Sequence, residues 1–223
     1  FSVEFAEHRL YNRSDSVRNI DWKLFARSDK LFVKKFEDET NLRSYILIDT
    51  SSSMLYPDQL SSNMSKLSFS LYSAACLIYL FHRQRDGVGL TFYNNVIDFF
   101  TPARSSKAHY NYLMSALDKM LSNIDAQKNK KTNFQEVVAN FISKIPQRSL
   151  VIIFSDMFNF NNNSWLKALQ HLRYRKNEVI LFHVQDSQTE KLFNFSNQSC
   201  EFIDLESNQS LTLNPTHYRK NYQ

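Results

Sequence analysis

Asp49, Ser51 and Ser53 stand two residues apart, an acid and two hydroxyls at the end of the apolar run Tyr45-Ile46-Leu47-Ile48. Three oxygen donors on one short loop suit a hard divalent cation such as Mg²⁺, with Mn²⁺ and Ca²⁺ as alternatives. No imidazole or thiolate lies in the loop, which argues against zinc. A second acid, Asp156, follows the apolar run Leu150-Val151-Ile152-Ile153-Phe154 in the same manner, and Thr132 falls in a polar stretch just ahead of a helical pattern. If the two runs are adjacent parallel strands, Asp49 and Asp156 come to one rim, outside the carboxyl ends of the strands, where open α/β sheets bind ligands. Asp49, Ser51, Ser53, Thr132 and Asp156 are therefore the candidate metal-binding set.

Each of these residues also has a purely structural reading. Thr132-Asn133-Phe134-Gln135 has the form of a capping box, so Thr132 is equally a helix cap. Asp156 could cap a turn after its strand, and Ser51 and Ser53 could be ordinary loop hydroxyls. Other chemistry is largely excluded. With only two glycines, Gly87 and Gly89, the chain has no dinucleotide loop, no P-loop and no G-x-S-x-G elbow. The histidines share no ligand spacing. No catalytic residue and no organic cofactor site is expected. A metal-assisted hydrolase or phosphoryl-transfer enzyme on the same rim is the alternative to a binding module, and it needs a base or nucleophile close to the metal. Nucleic-acid binding rests only on a net charge of +5 and many tyrosines.

The elements that must position these groups are legible from periodicity. Strands are expected at Leu31–Phe36, Tyr45–Ile48, Val88–Phe92, Val96–Phe100, Leu150–Phe154 and Val179–Val184. Glu201–Leu205 and Leu211–Leu213 are expected to pair around Ser207-Asn208. Helices are expected over Lys66–Arg83, apolar almost all round and so buried on most faces, and around Leu113, Val138 and Leu169. Alternation of the two implies βαβ units: a mainly parallel sheet with helices on both faces. The hairpin turn Tyr93-Asn94-Asn95 adds one antiparallel edge strand. A 43% apolar content with 19 Phe and 11 Tyr fits a globular chain. Two cysteines, Cys76 and Cys200, make no disulfide framework, and Cys76 is expected to pack as a small hydrophobe. That usage fits a reducing, cytoplasmic setting. The longest apolar run, Leu71–Phe81, is too short to cross a bilayer. The sequence opens at Phe1, not Met, and is read as a fragment, with an upstream signal or anchor left open.

The set D-x-S-x-S, a loop threonine and a later strand-end aspartate resembles the metal-ion-dependent adhesion site of von Willebrand factor A domains. In that family the serines and threonine hold the cation directly or through water, and the second aspartate supports it from outside the first layer of ligands. An acidic side chain of a partner fills the open position. The first forty residues extend the resemblance. Glu4-Phe5-Ala6-Glu7, Arg9-Leu10-Tyr11, Ser14-Asp15, Arg18-Asn19-Ile20-Asp21-Trp22, Ala26-Arg27, Val33-Lys34, Glu37 and Glu39 look like the bacterial family called domain of unknown function fifty-eight. This chain departs from the family at Ser14 and Lys131, where glycine is usual. The resemblance implies a von Willebrand A-like, Rossmann-like three-layer sandwich over 44–223, with residues 1–43 as a signature segment packed on it. It also implies a Mg²⁺-dependent protein-binding module that acts with a MoxR-type AAA+ ATPase in chaperone-like maturation. Within the segment, Arg18, Asp21 and Arg27 are expected to be structural, through arginine–carboxylate pairing, and Trp22 to cover apolar surface. Lys128, Lys130 and Lys131 would add positive potential beside the metal.

Overall fold

The computed structural model describes all residues except 1, 13–14, 40–41, 58–63, 125–132, 158–163, 207–208 and 223; for 2–7, 34–39, 164 and 220–222 it describes the backbone alone. The chain divides into two compact units, Phe1–Asn41 and Leu42–Gln223.

The first unit is an antiparallel ribbon. Strand β1 (Ser2–Leu10) pairs with β2 (Phe32–Glu39), with a register shift between Phe5 and Glu7. Between them lies α1 (Trp22–Ser28), started by Asp21, whose carboxylate accepts from the backbone N–H groups of Lys23 and Leu24. The same carboxylate meets His8 Nε2 at 3.0 Å, so Asp21 does structural work, but as a cap and histidine partner. Trp22 is exposed and meets Phe25 edge-on at 6.2 Å; it does not cover apolar surface as the sequence led us to expect.

The second unit holds a five-stranded sheet in the order β5-β4-β3-β6-β7. Strands β3 (Arg43–Asp49), β4 (Gly87–Tyr93), β6 (Leu150–Ser155) and β7 (Glu178–His183) are parallel, and β5 (Ile97–Phe100) is the antiparallel edge. Side chains alternate across this sheet. Ile46, Ile48, Leu90, Phe92, Ile152 and Phe154 form one apolar layer with helices α2 (Lys66–Arg83) and α3 (Lys107–Ser122). Tyr45, Leu47, Tyr93, Val151 and Ile153 form the other with α4 (Phe134–Lys144) and α5 (Ser164–Tyr174). A hairpin of β8 (Cys200–Ile203) and β9 (Ser210–Leu213) and a last helix, α6 (Pro215–Tyr222), complete the unit. The sequence reading did not include β1, α1 or α6.

Two expectations about α2 are corrected. Only one stripe of it faces the sheet (Leu67, Leu71, Ala74, Ile78); Phe69, Tyr72, Tyr79 and Leu80 are about half exposed, and Cys76 is exposed, not packed. A helix lying on one face of a sheet buries one side only, however apolar the rest of it. Helix α4 is capped by Asn133, not Thr132: the Asn133 side chain accepts from Glu136 N–H at 3.5 Å and donates to Glu136 Oε2 at 2.9 Å. The cap begins one residue later than expected and is not reciprocal: Glu136 meets the side-chain amide of Asn133, whose backbone N–H donates to the carbonyl of Asn94 at 3.3 Å. Among the described residues no helix is long and apolar enough to cross a membrane.

Candidate functional site

The crevice at the carboxyl ends of β3 and β6 follows from the strand order. After β3 the chain crosses to β4 on one side, and later returns to place β6 on the other. The loops leaving β3 and β6 therefore run to helices on opposite faces and open a gap between them, the switch point at which such sheets bind ligands. Asp49 ends β3 and Asp156 follows β6, so both acids stand at this gap.

The loop after β3 is buried from Asp49 to Ser53. Both the N–H and the hydroxyl of Thr50 donate to the carbonyl of Tyr93, at 2.8 and 2.9 Å, and so clamp the loop to β4. A short 3₁₀ turn over Ser52–Leu55 then bends the chain back. Asp49 Oδ1 accepts from Ser51 N–H at 3.0 Å, and Oδ2 accepts from Ser155 Oγ at 2.9 Å. Ser51 and Ser53 share a hydrogen bond at 3.1 Å, which brings the three predicted donors of the loop together. Asp156 is close enough that its charge, after burial, helps push the Asp49 carboxyl up from 3.8 to about 6, against the pull of hydrogen bonds from Ser51 and Ser155. Thr132 lies outside the described residues, as do Lys128, Lys130 and Lys131.

Several participants were not foreseen. Lys66, at the first position of α2, is 3% exposed, and its Nζ donates to Asp156 Oδ2 at 2.8 Å and to Glu190 Oε1 at 2.6 Å. Glu190 is held in turn by the N–H of Asp186 at 2.8 Å. One signal was available: a lysine in the first turn of a helix opposes the macrodipole, so its presence there calls for a tertiary partner. Glu206, from the turn between β8 and β9, accepts from Ser53 Oγ at 3.4 Å, across 153 positions of sequence that carry no hint of the contact. Tyr93 faces the two aspartates from the end of β4, and burial first, then the charge of Asp49, pushes its hydroxyl well above its ordinary value. Ser155 beside it pulls the other way, although the fully buried hydroxyl makes no hydrogen bond of full geometry among the described residues. His183 is at the end of β7 with its Nε2 3.0 Å from the carbonyl of Asp156.

The donors are all oxygens, and two buried carboxylates lie close together, which suits a hard cation. Among the described residues there is no group of three or more His, Cys, Asp or Glu arranged around a metal. A cation here would rest on hydroxyls as much as on carboxylates, and Asp49, Ser51 and Ser53 provide that mixture.

An α/β unit with a hydroxyl-rich, acidic crevice at its switch point is the class of protein these features define. The family model described as "Protein of unknown function DUF58" matches residues 7–223, and the chain belongs to that family. Among curated proteins it is 23% identical over 189 residues to the uncharacterized protein Rv1480 of Mycobacterium tuberculosis (strain ATCC 25618 / H37Rv), and equally to Mb1516 of Mycobacterium bovis. These matches cover 85% of this chain and 57% of the relatives, so the chain spans little more than half their length. Among solved structures it is similar to the conserved hypothetical protein BatB from Bacteroides thetaiotaomicron, with a TM-score of 0.51 and 14% identity over 81% of this chain and 84% of that one. At that identity the likeness is one of fold.

Proposed function

We propose that this chain is a von Willebrand A-like protein-binding module that holds Mg²⁺ in the crevice and presents it to an acidic side chain of a partner protein. Asp49, Ser51, Ser53 and Thr132 would hold the ion, directly or through water, with Asp156 in support. The cation supplies an oxygen-seeking charge with a position left for one further carboxylate. The observation that carries the reading is the hydrogen-bonded cluster of Asp49, Ser51 and Ser53 at the switch point, with Asp156 beside it. Lys66 stands beside the cluster with its ammonium paired to Asp156 and Glu190. The whole protein, on this reading, works with a MoxR-type AAA+ ATPase in the maturation or assembly of other proteins.

Calorimetric titration of Mg²⁺ tests the first step. Asp49→Ala removes the only carboxylate of the loop and is expected to abolish binding, with circular dichroism unchanged. Ser51→Ala is expected to weaken binding less, since a neutral hydroxyl contributes less than a charge. Equal affinity in wild type and Asp49→Ala would sink the cation reading. Pulldown of the ATPase with and without chelator then tests the partner.

A further inference from the structure

Helix α2 carries a second apolar face that the sheet does not use. Leu67, Leu71, Ala74 and Ile78 are buried, whereas Phe69, Tyr72, Cys76, Tyr79, Leu80 and Arg83 are exposed. At about 100° per residue these six fall within an arc of about 100°, centred opposite the buried stripe. Phe69, Cys76 and Arg83 repeat every seven residues, and Tyr72 and Tyr79 each follow three residues after the first two. That is the spacing of a seam between two helices. Large apolar side chains left half in water along about 20 Å of helix mark an interaction surface.

The face itself says what covers it. It is self-complementary about Cys76: Phe69 and Arg83 lie seven residues to either side, Tyr72 four before and Tyr79 three after. A second α2 running antiparallel across a two-fold axis at Cys76 sets Tyr72 against Tyr79 of the other copy, and Phe69 against Arg83. Arg83, the one charge of the face, then meets an aromatic ring, and the two helix dipoles oppose. Cys76 is the smallest side chain of the six and sits in the middle, where the helices must come closest. Axes about 8–10 Å apart, less two Cα radii of about 2.3 Å, leave the two Cys76 Cα atoms about 3.5–5.5 Å apart. Four large side chains about half exposed offer on the order of 400 Å² per copy, or about 800 Å² for the pair. That area is too small for a permanent dimer and suits a weak, reversible one. A membrane surface fits less well, because it calls for cations along the helix. Those of α2 are Lys66, buried in ion pairs, and His82 and Arg83 in the last turn.

We propose that two copies of this chain associate weakly and reversibly through α2, antiparallel, with Cys76 meeting Cys76 on the two-fold axis. The inference is independent of the cation reading and goes beyond it. The first turn of α2 borders the crevice through Lys66 and its bond to Asp156. An antiparallel pair therefore carries its two crevices at opposite ends of the joined helices, and a partner with two binding segments gains from engaging both.

The experiment uses the full chain. Sedimentation equilibrium of the wild type is expected to show monomer–dimer exchange with a dissociation constant of about 10–100 µM. Tyr72→Lys and Tyr79→Glu are each expected to raise that constant at least about tenfold, because each puts an unpaired charge into an apolar seam. The double variant is expected to return to within about threefold of wild type, since the pairing sets each new charge against its opposite on the other copy. Positions 72 and 79 are about 10 Å apart along one helix, so pairing within a single copy cannot mimic the rescue. In a Cys200→Ser background, diamide is expected to join the dimer through Cys76. It takes up two electrons and two protons as one S–S bond forms between thiols whose Cα atoms lie within about 4.4–6.8 Å. Circular dichroism checks each fold. A wild type that stays monomeric at about 300 µM would overturn the dimer. Single variants that dimerise like wild type, a double variant without rescue, or a dimer that Cys76 does not cross-link would overturn the antiparallel seam.

Discussion

At the scale of single residues, the crevice is governed by buried charge. Lys66 is neutralised by two acids inside the protein, and removing one member of such a group leaves the others uncompensated. Lys66→Met, which keeps the length of the stem, is expected to cost about 3–5 kcal/mol in urea unfolding. A loss below about 1 kcal/mol would mean that water reaches Asp156 and Glu190. Asp49 gives a pH prediction of definite sign. Its carboxyl ionises near 3.8 in the unfolded chain and near 6 in the fold. Below 3.8 both states keep the proton, and Asp49 takes nothing from stability. As pH rises through about 6 the fold must carry a buried charge, and stability falls by about 3 kcal/mol. In the absence of divalent cations, Asp49→Asn should therefore melt above wild type at pH 8 and together with it near pH 3.5. Parallel pH profiles for the two proteins would show that Asp49 does not titrate in this way.

At the scale of elements, the packing of β4 on β3 depends on one of the two glycines. A Cβ at Gly89 would lie 2.6 Å from the carbonyl oxygen of Thr101 and 2.7 Å from the ring of Tyr45, its register partner on β3. That ring is itself fixed, stacked on Phe100 and edge-on to Phe141. Gly89→Ala is expected to destabilise by about 1–3 kcal/mol, because neither neighbour is free to give way. At Gly87 the nearest atom would be 3.6 Å away, an ordinary contact, so Gly87→Ala should be neutral or stabilising by up to about 1 kcal/mol. Chemical denaturation of both variants distinguishes the sites; equal effects would refute the steric account. The position matters for function because Tyr93, four residues further along β4, accepts the two bonds from Thr50 that anchor the Asp49 loop.

At the scale of the whole molecule, both apolar clusters of the sheet unit are built from residues after Asn41. The fragment Leu42–Gln223 is therefore expected to fold alone and to melt cooperatively, whereas Phe1–Asn41, a two-stranded ribbon with one short helix, is expected to be unfolded as an isolated peptide. Differential scanning calorimetry of the fragment is the check, and a broad, non-cooperative transition would contradict it. The exposed stripe of Phe69, Tyr72, Tyr79 and Leu80 on α2 belongs to the same unit and lies on the helix surface turned away from its core.

The sequence alone was enough for the sheet. Continuous runs such as Leu150–Phe154 occur where a strand is covered on both faces, and their alternation with helical patterns leaves few topologies. It was also enough to place Asp49, Ser51 and Ser53 together, because donors two apart on one loop remain neighbours in almost any fold. Asp156 followed from the expectation that β3 and β6 are adjacent, which the strand order bears out. What only the tertiary structure decided is everything held by a contact across the chain: the commitment of Lys66 to Asp156 and Glu190, the burial of Tyr93 beside Asp49, and the arrival of Glu206 at Ser53. A local pattern constrains the backbone through sterics and the burial of apolar faces, and both act within a few residues. The charge balance of a crevice is summed over side chains from several elements, and it exists only once those elements have been packed together.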